Sequence, residues 1–105
     1  MDKTFSQRVV EAALSIPSGR VATYGDIARV CGGDGQAARS ISGILGRAHR
    51  QGVQNIPWHR IVYSGGKIWT NQEHHIKRME LYKAEGIEVN EKGYIKNFTS
   101  LRYEF

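Results

Sequence analysis

Thr23-Tyr24-Gly25-Asp26-Ile27-Ala28-Arg29-Val30, then Gly32-Gly33-Asp34-Gly35, then Ala37-Ala38-Arg39-Ser40-Ile41 running on to Leu45 and Ala48, is the stretch that decides the fold. Thr23 followed three residues later by Asp26 resembles a capping box, in which the hydroxyl caps the first turn and the acid answers it. A short helix is expected from there to about Val30. The glycine cluster reads as a turn. Beyond it, Ala38, Ile41, Leu45 and Ala48 recur at helical spacing and predict a second helix with one apolar face. Two short helices joined by a tight Gly-containing turn form a helix-turn-helix pattern.

The flanks extend this reading. Phe5, Val9, Ala12/Ala13 and Ile16 predict an amphipathic helix over 3–15, which Pro17-Ser18-Gly19 breaks. Arg20-Val21-Ala22 reads as short and extended, and residues 49–56 as a polar loop. Ile61-Val62-Tyr63 suits a short strand, with Ser64-Gly65-Gly66-Lys67 turning back into Ile68-Trp69. Residues 72–85 predict a further helix with Ile76, Met79 and Tyr82 or Lys83 on its inner side. Gly86 stands where a left-handed C-terminal cap belongs, and a hairpin is expected around Lys92-Gly93. Residues 1–105 are expected to form one domain.

The chain has 105 residues, 40% hydrophobic and 24% charged, and a formal net charge of +5. That is an ordinary globular composition. Residues 16–71 carry seven basic side chains (Arg20, Arg29, Arg39, Arg47, Arg50, Arg60, Lys67) against Asp26 and Asp34, so this segment supplies the whole excess. Residues 72–105 balance six against six. Such asymmetry is the footprint of a nucleic-acid surface, and equally of a solvated basic face. No apolar run reaches the roughly 20 residues of a membrane span. Asp2 and Lys3 lead into mixed sequence, so no leader is expected, and a cytoplasmic location is. Cys31 is the single cysteine; no disulfide is expected, and it reads as a packing residue. His74 and His75 are adjacent on a helix and His49 lies in a loop, so no zinc-type spacing arises and no metal or cofactor is expected.

Four blocks carry a resemblance. They are Ile16-Pro17-x-Gly19-x-Val21-x-Thr23-Tyr24-Gly25-x-Ile27-Ala28, then Ala37-Ala38-Arg39, then Pro57-Trp58-His59-Arg60-Ile61-Val62, and Glu85-Gly86. In this order and spacing they resemble the C-terminal domain of the O6-alkylguanine-DNA alkyltransferases, over about residues 5–87. The resemblance implies an α/β, mainly α, winged-helix-like DNA-binding domain with a helix-turn-helix. In the family's active-site block a nucleophilic Cys follows the Pro; here it is Trp58. An indole N–H donates a hydrogen bond but offers no nucleophilic lone pair. Pro-Trp-His-Arg is similar to the alkyltransferase-like members, which bind the lesion without chemistry.

The resemblance assigns roles residue by residue. Tyr24 presses on the phosphate of the target nucleotide and helps rotate it out. Arg39 fills the gap left by the flipped base, with Ala37 and Ala38 letting the helix approach the minor groove. Ser42 stands where the family carries glycine, followed by Gly43. Ala48 replaces a family asparagine. Trp58 floors the lesion pocket, with Trp69 and Asn71 as candidates on its other wall. His59 and Glu85 match a proton relay left with no thiol to activate, and Arg60 ties the loop to the core. The implied function is a non-enzymatic sensor of O6-alkylguanine in duplex DNA, acting as a monomer and directing the lesion to nucleotide excision repair proteins of the UvrA/UvrB type. The rival readings are a residual alkyltransferase or base hydrolase using His59 and Glu85, and a sequence-specific winged-helix regulator.

Overall fold

The computed structural model describes residues 3–34 and 36–105. Helix α1 (Phe5–Ser15) begins at Thr4, whose hydroxyl accepts from the Gln7 backbone while the Gln7 side chain accepts from the Thr4 backbone. This reciprocal cap was available in the sequence and is absent from the expectations above. Strand β1 (Ala22–Thr23) leads directly into α2 (Tyr24–Val30). Thr23 and Asp26 form the expected capping box at 2.9 and 3.1 Å.

The second half of the helix-turn-helix differs from its prediction in one respect. Residues Ala37–Ser40 form a 3-10 turn, and only then does α3 (Ile41–Arg50) begin. The Asp34 carboxylate accepts from the backbone of Gln36 and Ala37, tightening the entry. Arg39 therefore stands on the tight turn before the helix. The predicted apolar face holds: Ile41 and Leu45 are fully buried and Ala48 nearly so. The 49–56 loop starts two residues late, because α3 continues through Arg50.

A 3-10 turn over Trp58–Arg60 runs into β2 (Ile61–Val62), which pairs in parallel with β1, Ala22 opposite Ile61. Successive strand side chains point to opposite faces, and here the two faces serve two cores. Ala22 and Ile61 join Val9, Ile16, Ile27, Ile41 and Leu45 under α1, α2 and α3. Val21 and Val62 join Ile68, Tyr82, Ile87 and Ile95 on the other side. After a 3-10 turn at Ser64–Gly66 comes α4 (His75–Ala84). Gly66 is buried with φ +91°, and a Cβ there would lie 2.9 Å from the Phe98 ring, so both conformation and space demand glycine.

Helix α4 corrects the sequence reading of its inner side. Ile76 is 72% exposed and Lys83 is exposed; Tyr82 alone is deeply buried, with Met79 packed against its cluster. Gly86 takes the left-handed conformation, φ +73°. The Gly86 N–H donates to Lys83 and that of Ile87 to Tyr82, the paired bonds of a Schellman cap. The expected hairpin is present: Asn90 and Tyr94 bond across the Lys92-Gly93 turn, and Val89 pairs with Ile95. Helix α5 (Phe98–Leu101) then brings the tail back, so that Val21 bonds to Leu101 and Tyr103. Among the described residues no helix is long and apolar enough to cross a membrane.

Candidate nucleic-acid interface

Tyr24, the first residue of α2, stands between two adjoining cavities and lines both. The first, about 570 Å³, is walled by Trp58 and His59 on one side and Trp69, His74, Lys77 and Arg78 on the other. Its size lies within the roughly 300–1,000 Å³ of small-molecule sites. The second, about 630 Å³, is an open groove between Arg29 of α2, Ala38, Arg39 and Ser42 of the second helical unit, and Arg102 of the tail. Tyr63 also borders both, its ring centroid 5.5 Å from that of Tyr24. Burial, and then Tyr63, push the Tyr24 phenol above its usual range, while Arg78 opposes them. Tyr24 is thus a neutral, half-buried, rigid group placed where the two spaces meet.

The Trp58 wall is held by a network centred on Glu85. Its carboxylate accepts from Arg60 Nε and Nη2 at 3.0 and 2.8 Å, from the Gly19 backbone at 2.9 Å, and lies 2.5 Å from His59 Nε2. Burial pushes this acid up, but Arg60, the Gly19 amide and His59 outweigh it and hold it at about 2. Arg60 also donates to the Ile16 carbonyl at 3.0 Å. The Tyr82 hydroxyl donates to the His59 carbonyl, and burial raises that phenol to about 12. Turn 17–19, the 57–60 segment and the end of α4 are therefore fastened together, and the Gly86 cap sets Glu85 in place. His59 and Glu85, matched to a relay in the sequence, do meet; Arg60 ties the loop as expected.

The remaining site expectations divide. Tyr24, Trp58 and Trp69 share the first cavity, and Tyr24, Ala38, Arg39 and Ser42 share the groove. Asn71 does not line the cavity; its side chain accepts from the His74 backbone at 2.8 Å in the turn that precedes α4. Ala37 packs against the core beside Gly33, where an added Cβ would come within 2.7 Å of it, so its small size serves the turn. Gly43 is exposed, with no atom within 4 Å of where a Cβ would stand, and lines neither space. Arg39 is exposed and has no ion-pair partner among the described residues. Tyr63, His74, Lys77, Arg78 and Leu81 line the cavity and were missed. The last four follow the 3, 4 and 7 spacing of one helix face, a signal hidden by its polar composition. Cys31 is buried, as expected of a packing residue. Among the described residues no group of three His, Cys, Asp or Glu could hold a metal ion.

Sequence comparison now supplies the family. Residues 4–87 match the family described as "6-O-methylguanine DNA methyltransferase, DNA binding domain". The chain belongs to that family. It is 35% identical over 94 residues to the DNA base-flipping protein of Escherichia coli, covering 90% of this chain and 70% of the relative. Its fold is similar to Schizosaccharomyces pombe Atl1 in complex with damaged DNA containing O6-carboxymethylguanine, at a TM-score of 0.73 and 28% identity, over 96% of this chain and 95% of that one. Mycobacterium tuberculosis OGT in complex with DNA is matched at a TM-score of 0.62 and 31% identity, over 82% of this chain and 51% of the enzyme. The expected class, a small mainly helical DNA-binding domain with a short sheet, holds.

Proposed function

We propose that this protein is a non-enzymatic sensor that docks its helix-turn-helix in the minor groove of duplex DNA, flips O6-alkylguanine into the Trp58 cavity and holds it there without alkyl transfer. The observation that carries this reading is the placement of Tyr24 between a basic groove and an aromatic-walled cavity. A base rotated out of the stack needs a few kcal/mol. Exposed Arg39 fills the vacated space, and contact with Trp58 returns roughly 1–3 kcal/mol. Trp58 stands where the resemblance puts the transferase Cys, and an indole cannot accept an alkyl group in its place. The names and bound DNA of the relatives support the same reading.

A lesion held but unrepaired needs a downstream activity, and we assign that to nucleotide excision repair of the UvrA/UvrB type. The protein acts as a monomer in the cytoplasm, where its lone buried thiol meets no oxidising demand. The intact His59–Glu85 pair favours a second reading, a base hydrolase. Mass spectrometry after incubation with alkylated DNA separates them, since hydrolysis restores guanine and transfer adds mass to the protein.

The direct test is fluorescence anisotropy of a short labelled duplex with and without one O6-methylguanine. At least tenfold tighter binding to the lesion is expected, and independence of the surrounding sequence. Equal affinity for both duplexes would overturn the sensor. Trp58→Ala should cost about tenfold on the lesion duplex alone, whereas Tyr24→Ala and Arg39→Ala should each weaken lesion binding by removing a flipping device.

A further inference from the structure

One wall of the Trp58 cavity carries charge that no carboxylate among the described residues answers. His74, Lys77 and Arg78 project from one face of α4 onto the cavity, beside Leu81. Neither Lys77 nor Arg78 has an ion-pair partner among the described residues, whereas Arg60, behind the Trp58 wall, is bonded to Glu85. Among the described residues no carboxylate lines the cavity. Arg78 is half-buried, with its guanidinium 5.2 Å from the Trp69 ring centroid. Its charge reaches Tyr24 and Tyr82, lowering the pKa of each against their burial.

A half-buried cation without a counter-ion is unfavourable, and the usual remedy is an anion with hydrogen-bonding oxygens. A guanidinium lying over an aromatic face presents its N–H donors at its edge, and with one turned to the Tyr82 oxygen others remain for a carboxylate. Trp69 supports Arg78 from one side, while Lys77 adds a second charge. We infer that this corner makes the protein prefer O6 substituents that end in a carboxylate over neutral substituents of the same size. The inference rests on the lesion-binding function proposed above and names the adduct class that its cavity selects. The Arg39 groove lies on the far side of Tyr24, so the duplex backbone has its own basic surface and the α4 corner is left for the adduct.

Four labelled duplexes test it: guanine, O6-methylguanine, O6-carboxymethylguanine and O6-carbamoylmethylguanine, the neutral amide of nearly the same shape. The wild-type protein should bind the acid about tenfold more tightly than the amide, the scale of one charge-assisted hydrogen bond. Arg78→Gln should abolish that ratio. Arg78→Lys should retain part of it, and Lys77→Ala should reduce it by a smaller factor. Equal binding of acid and amide by the wild-type protein overturns the inference without touching the sensor. A parallel loss on all four duplexes in Arg78→Gln also overturns it, because Arg78 would then serve the DNA phosphates. If the guanine duplex binds as tightly as the three adducts, the sensor itself falls, and this inference with it.

Discussion

Glu85 and Asp26 are two carboxylates with the same job in different surroundings. Each bridges two basic side chains, each also accepts from a backbone N–H, and each is held at about 2. Glu85 gathers Arg60 and His59, which are 21% and 11% exposed. Asp26 gathers Arg29 and Arg102, which are 60% and 43% exposed. The first hub closes the wall of the Trp58 cavity. The second joins the helix-turn-helix to the tail at the edge of the basic groove. Their difference teaches that an equal shift in acidity need not mean an equal contribution to the fold. Water screens the Asp26 partners and largely leaves the Glu85 partners alone.

The largest effect should come from Glu85→Ala. It strands Arg60 and His59 against the cavity wall without their acceptor, at a cost of about 3 kcal/mol by urea denaturation. Lesion discrimination should fall with it, since Trp58 is carried on the same segment. Glu85→Gln keeps the volume and should be milder. It also isolates the pH term. The folded acid sits at about 2 against an ordinary 4.5, so its stabilisation is complete above pH 4.5 and is lost as pH falls through about 2. The wild-type protein should therefore lose stability steadily below about pH 5, and Glu85→Gln should show a shallower decline. Identical acid profiles would show that the Glu85 hub contributes no more than an exposed pair.

Asp26 should come next. Asp26→Ala removes the reciprocal half of the capping box as well as the ion pairs, for about 1–2 kcal/mol. Its acid is depressed from 3.8 to about 2, so this stabilisation is present above pH 3.8 and disappears through the same acid range. Because the loss falls on α2, binding to damaged and undamaged duplexes should weaken by similar factors. Glu85→Gln should instead reduce the ratio between them. Titrating both variants with the paired duplexes reads that contrast directly.

How much of this could be read from the residues depended on chain distance and on the polarity of the signal. The Thr23 box, the Gly86 cap and the apolar stripe Ile41-Leu45-Ala48 are local and apolar or stereochemical, and they were legible. Trp58, His59 and Glu85 were legible only through the family blocks, because their meeting spans 26 residues and no local rule pairs them. Asn71 was misassigned because a turn residue and a pocket residue are both polar positions before a helix. The α4 face was missed because amphipathic reading assigns a helix by its apolar side. Ile76 predicts an inner side that it does not occupy, while His74, Lys77 and Arg78 carry no apolar signal. The tail lies beyond the matched residues 4–87, and its return to Asp26 closes a span of 76 residues.

That return supplies the smallest predicted effect. Arg102 donates two bonds to Asp26, at 2.9 and 2.5 Å, a fork that looks strong by distance alone. Its guanidinium is nevertheless close to half exposed, and Arg29 remains on the same acid when it is gone. Exposed pairs of this kind contribute under about 1 kcal/mol. Arg102→Ala should therefore shift the urea midpoint only slightly, and high salt should erase much of the difference. The tail should stay docked, since Val21 holds Leu101 and Tyr103 through backbone bonds of 3.0 and 2.7 Å that the substitution leaves intact. Amide exchange at Val21 and Tyr103 checks this. Unchanged protection places the tail's attachment in its backbone, with the ion pair as an addition. Loss of protection would make the Asp26 hub the clasp itself, and would put it on a par with Glu85.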